Sequence, residues 1–64
     1  MVTYEHEVRQ SNGNTTLLIN RYYDSEWVST LGLSSTHEDY DYAMYHIDRS
    51  SDLQLTLAEL DSEL

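Results

Sequence analysis

The segment STHEDYDYAMYHID, residues 35–48, packs four acids, three tyrosines and two histidines into fourteen positions. Side chains of these types hold metal ions, exchange protons, or meet cations. His37, Glu38 and Asp41 could offer metal ligands, with His37 and Asp41 at i and i+4 on one helix face. The pair is not the H-E-x-x-H arrangement of a zinc protease, because Asp41 stands where the second histidine belongs. Spacing alone argues weakly for a metal, and a first-turn His37 reads as a solvated polar side chain. No metal and no cofactor are therefore expected. His46, beside Tyr42 and Tyr45, and His6, on the inner face of the first strand, read as packed histidines rather than catalytic ones.

Other catalytic patterns are missing from the sequence. No serine lies in a G-x-S-x-G context. Gly13 and Gly32 are the only glycines, which leaves no phosphate loop. Carboxylates are so abundant that two of them lying close together says nothing about glycosidase chemistry. A chain of 64 residues also has little material to enclose the roughly 300 Å³ of a usual ligand pocket. The expectation is a protein that is not an enzyme.

Charge is the strongest global signal. Twelve acids face three arginines, lysine is absent, and the net charge is −9. That balance argues against direct binding to DNA, RNA or an anionic membrane, because neutralising phosphates requires clustered Lys and Arg. A basic protein surface is the natural partner. The plainer reading is that acidity serves solubility. Without cysteine there are no disulfides and no thiolate metal sites. Met1 leads straight into an alternating charged segment, which predicts no signal peptide. No apolar run approaches the roughly 20 residues of a membrane helix. A cytoplasmic protein is expected.

The elements that position these residues follow from periodicity. VTYEHEVR (2–9) alternates, with Val2, Tyr4, His6 and Val8 on one face and Thr3, Glu5, Glu7 and Arg9 on the other, so a half-buried strand is predicted. Asn12-Gly13 is a strong hairpin signal, since both residues tolerate positive φ. TTLLINRYY (15–23) returns as a second strand. Asp24-Ser25 suits a tight turn into EWVSTL (26–31), read as a strand, with a short helix opened by Asp24 as the alternative.

Ser35-x-x-Glu38 has the pattern of a helix capping box. Tyr40, Ala43, Met44 and Ile47 then form one apolar helical stripe. The competing alternation Tyr40, Tyr42, Met44, His46 suits a strand, but the cap favours a helix ending near Asp48 or Arg49. Leu53, Leu55 and Leu57 alternate with Asp52, Gln54 and Thr56, which predicts a final strand over 51–60. The expected fold is a single α+β domain of order β-β-β-α-β. Its antiparallel sheet is covered on one face by the helix, over a core of Leu17, Ile19, Met44, Ile47, Leu53, Leu55 and Leu57.

On this plan Glu38, Asp41, Tyr45 and Asp48 run at i, i+3, i+7 and i+10, opposite the apolar stripe and over roughly 15 Å. Glu5 and Glu7 project from one strand face about 7 Å apart. A column of fixed negative charges crudely resembles a nucleic-acid backbone. Tyr42 and Tyr45 add rigid amphipathic area able to meet arginines. The candidate partner-binding residues are thus Glu5, Glu7, Glu38, Asp39, Asp41, Tyr42, Tyr45 and Asp48. The plain alternative is a solvated helix face.

In size, charge, tyrosine content and β-plus-helix layout, the whole chain resembles the small acidic anti-CRISPR proteins that phages encode to evade antiviral defence. Several of these act as DNA mimics. The resemblance rests on no diagnostic motif. It implies inhibition of a type I CRISPR–Cas complex, type I-C being one such, by occupying a basic DNA-entry or PAM-reading surface on a Cas subunit. The competing expectation is an acidic protein-interaction module, antitoxin-like or an adaptor, that binds through an apolar groove or strand edge. Tyr22, Tyr23 and Trp27 fall near strand edges and could instead line a homodimer interface.

Overall fold

The computed structural model describes residues 1–64. Asn12 and Gly13 both take positive φ, 54° and 77°, the combination a two-residue hairpin turn requires. They join β1 (Val2–Ser11) to β2 (Asn14–Tyr23) in an antiparallel register that runs from Ser11↔Asn14 to Val2↔Tyr23. Asp24 and Ser25 make the second turn, again with positive φ at both positions (49° and 71°). Residues 26–31 are therefore strand, as the β-branched and aromatic content predicts. They belong to β3 (Glu26–Ser34), which pairs antiparallel with β2 and completes a meander of order β1-β2-β3. A register shift at Arg21/Tyr22 bends the start of β3.

The helix predicted at residue 35 starts later. Ser35 donates its N–H to the carbonyl of Thr15, continuing the β2–β3 ladder, so the capping box of Ser35 and Glu38 does not form. Strand pairing already uses the backbone that the cap needs. Helix α1 spans Tyr40–Asp48, with Asp39 at the N-cap making no side-chain capping bond and Arg49 at the C-cap. Its apolar stripe is as the spacing predicts, with Ala43 buried and Tyr40, Met44 and Ile47 packed around the core.

The predicted final strand is a helix. Asp52 accepts a hydrogen bond on Oδ1 from the Leu55 N–H and opens α2 (Leu53–Glu63). Leu, Gln, Ala and Glu are good helix formers. Leu53, Leu57, Leu60 and Leu64 recur at i, i+4, i+7 and i+11, a helical stripe that the Leu-x-Leu-x-Leu alternation conceals. Leu57 and Leu60 enter the core, whereas Leu53 and Leu55, expected there, are 38% and 57% exposed. The chain is thus an α+β fold of order β-β-β-α-α. Both helices lie on the sheet face that carries Leu17, Ile19 and Leu33, the strand residues that join Ala43, Leu57 and Leu60 in the buried core.

Helix α2 also treats one sheet edge. The Gln54 side chain accepts from the Tyr4 N–H at 2.8 Å and donates to the Tyr4 carbonyl at 2.7 Å. It thereby satisfies an outward-facing residue of β1 as a neighbouring strand would. The opposite sheet face has no layer over it.

Candidate binding surface

The candidate acids fall on two opposite faces rather than one. Glu5 and Glu7 lie on the uncovered face of the sheet, because Tyr4 and His6, which alternate with them, turn towards the helices. Asp39, Asp41, Tyr42, Tyr45 and Asp48 belong to the helical layer, on the other side of a molecule whose shortest dimension is 17 Å. Of the sheet-face pair, one acid is partly neutralised. Glu7 is bound by Arg9 at 2.8 Å. Beside Glu5, the Tyr22 phenol is held above its usual pKa by partial burial and by the Glu5 and Glu7 charges.

The expected column on the helix is shorter than its spacing promised. Glu38 and Asp39 precede α1, so Asp41, Tyr45 and Asp48 alone share the outward helical face. The Tyr45 ring is already engaged within the chain, since the Arg49 guanidinium stacks 4.4 Å from its centroid. His46, expected to pack inside, is exposed between two rings, with centroids 4.4 Å from Tyr42 and 5.6 Å from Tyr45.

His37, read from the sequence as a solvated first-turn side chain, stands outside the helix and has no i,i+4 partner there. Its Nδ1 accepts from the Asp39 N–H at 3.0 Å, and the Asp39 carboxylate lies 3.8 Å from the same nitrogen. The shorter contact requires a lone pair on Nδ1, so it describes a neutral ring and not an ion pair. No three His, Asp or Glu side chains are grouped to hold a metal ion.

What the sequence reading missed lies on α2. Tyr42 donates its hydroxyl proton to Glu63 at 3.0 Å, tying the two helices together. Its pKa is raised first by that hydrogen bond, then by the charge of Glu63, with partial burial, Glu59 and Asp39 adding to the effect. Between the helices is a cleft of about 60 Å³ lined by Tyr42, His46, Thr56, Glu59, Leu60 and Glu63. Its volume is far below that of a usual small-molecule site and suits the tip of one side chain. With carboxylates and an aromatic ring on its walls, it offers a guanidinium or ammonium group both charge and a π face. Reading 51–60 as a strand dispersed Glu59 and Glu63 from this group.

Folding therefore sorts the charge. Residues 38–63 hold eight of the twelve acids and only Arg49 among the three arginines. All of them are on the helices or their flanking turns. None of the carboxylates of α2 is paired with a cation.

No family model matches the chain. No curated protein and no solved structure matches it either. The functional reading consequently rests on the arrangement of its own residues. No helix is long and apolar enough to cross a membrane.

Proposed function

We propose that this chain is a non-enzymatic inhibitor that binds a basic, nucleic-acid-binding surface of another protein by charge mimicry. The observation that carries the reading is the sorting of eight acids against a single arginine onto the helical layer. A basic groove built to neutralise phosphates meets there a dense, fixed array of carboxylates. The cleft between Tyr42, Glu59 and Glu63 supplies a place for one arginine or lysine of the partner to anchor. Glu5 and Glu7, on the opposite face, are outside this contact.

The resemblance to acidic anti-CRISPR proteins makes a Cas subunit of a type I complex the first partner to test, in the cytoplasm of a bacterial host. In that role the chain prevents target DNA from entering the complex. A purified type I-C effector is incubated with the chain, and binding of duplex target DNA is measured by gel shift at low and high salt. Inhibition at low salt that fades as salt rises, and that is lost in the Asp41→Lys, Glu59→Lys, Glu63→Lys triple variant, supports the reading. Capture from bacterial lysate followed by elution with duplex DNA extends the test to other basic partners. A partner that stays bound in excess DNA and high salt contradicts it.

A further inference from the structure

The two free edges of the sheet are unlike. β1 carries Glu5, Glu7 and Arg9, and Gln54 of α2 seals its backbone at Tyr4. Charge and a covering side chain are the usual protections of an edge strand. β3 has neither. From Trp27 to Thr36 there is no charged residue, no proline and no lysine. Its only irregularity is the bulge at its start. Ser35 bonds to Thr15, and Leu33, Leu31 and Ser29 stand opposite Leu17, Ile19 and Arg21. Because the ladder alternates, the N–H and C=O groups of Thr30 and Gly32 point outward.

We propose that β3 is a homodimerisation edge, pairing antiparallel with β3 of a second copy to form one six-stranded sheet. The argument for a second copy is charge. A basic partner finds no carboxylate along this strand beyond Glu26, whereas the uncharged stretch 27–34 of a second β3 meets its counterpart without repulsion. A two-fold axis at Leu31 sets Thr30 opposite Gly32 of the second copy, so the outward groups satisfy each other in both directions. It also places the two half-buried Leu31 side chains together on the inner face, extending a core that has only six buried residues in each chain. Trp27, 62% exposed and oriented by donation from Nε1 to Thr30 Oγ1, comes to lie towards the far end of the partner strand. Glu5 and Glu7 are two strands away from the seam, about 10 Å, beyond the roughly 8 Å screening length of physiological salt.

This inference is independent of the proposed function, and salt separates the two. Dimerisation between chains of charge −9 strengthens as salt screens their repulsion, whereas binding to a basic partner weakens. Sedimentation equilibrium of the whole chain is measured from micromolar to millimolar concentration at low and high salt. The expected result is a species of two 7.5 kDa chains, more populated at high salt. Gly32→Pro removes an outward N–H that bonds nothing within the chain, and its new Cβ meets Leu18 Cδ2 at 3.5 Å and Thr16 Cγ2 at 4.0 Å, both ordinary contacts. Thr30→Lys places charge on the seam. Both are expected to raise the dimer dissociation constant at least tenfold.

Amide hydrogen exchange of the unaltered chain gives a reading that needs no variant: the Thr30 and Gly32 amides are protected in the dimer. The proposal is overturned if the chain remains a monomer at every concentration and salt. It is equally overturned if the dimer leaves those two amides exchanging freely, or if β3 pairs only with a different protein. Folded Gly32→Pro and Thr30→Lys variants that dimerise as the parent does would place the interface elsewhere.

Discussion

At Tyr42 the phenol donates to Glu63 across the helix pair, and Glu59 and Asp39 add negative charge around it. The ionised phenolate would lose that donated bond and face three carboxylates, so the folded chain holds the proton more tightly than the unfolded one. A raised folded pKa means that the contribution to stability is fully present below the ordinary tyrosine value of about 10 and is lost as pH rises through the folded value. Ultraviolet titration is expected to show Tyr42 and Tyr22 ionising late, above the ordinary tyrosine value. Tyr42→Phe removes one late step and flattens the alkaline fall in stability. A late step that survives in the Tyr22→Phe, Tyr42→Phe double variant contradicts the assignment. Ser25 invites a different test, because it adopts φ 71° without being glycine. Left-handed backbone costs a side-chain-bearing residue about 1–2 kcal/mol, against a glycine entropy penalty of about 0.5–1 kcal/mol. Ser25→Gly is expected to stabilise the fold by about 0.5–1 kcal/mol in a urea melt.

Helix α2 is the element on which sequence and structure part. Leu57 is fully buried and Leu55 is 57% exposed, although a strand over 51–60 would bury both. Leu57→Ala is expected to cost about 2–5 kcal/mol, close to the whole stability of so small a core. Leu55→Ala should stay within about 0.5 kcal/mol. Equal losses at both positions in a chemical melt would restore the strand. Gln54→Leu removes both the acceptor of the Tyr4 N–H and the donor to its carbonyl, the two bonds that seal β1. It is expected to release the Tyr4 amide to hydrogen exchange while α2 persists.

The hairpin, the second turn and the Tyr40-Ala43-Met44-Ile47 stripe were legible because local backbone preference and periodicity agree there. The α2 segment was not, since a leucine at every second position satisfies a strand while Leu53, Leu57, Leu60 and Leu64 satisfy a helix. Asp52, three residues before the amide it caps, was the discriminating signal. The cap predicted at Ser35 failed for a non-local reason: Thr15, twenty residues earlier, takes its N–H. The error in α2 carried into the candidate surface, where Glu59 and Glu63 went unnoticed and Glu5 and Glu7 were grouped with acids on the far side.

Over the whole molecule, the sheet and the helical layer divide the work the account assigns. As proposed, the uncharged stretch 27–34 of β3 is offered to a second copy, and the acidic helices are offered to something basic. A two-fold at β3 doubles the number of acidic layers without placing Glu59 or Glu63 on the seam strand. Recognition through the helical layer is tested by the salt-dependent affinity of a basic, DNA-binding partner for two charge-reversed variants. Asp41→Lys, Glu59→Lys, Glu63→Lys alters the helical layer, and Glu5→Lys, Glu7→Lys alters the open sheet face. At up to roughly 1 kcal/mol for each exposed ion pair, the helical variant is expected to bind about 10- to 100-fold more weakly with a shallower salt dependence. The sheet variant should bind within about threefold of the parent, since exposed pairs remote from a contact add little. Equal losses in both folded variants, or an affinity indifferent to salt, would contradict recognition through the helical layer.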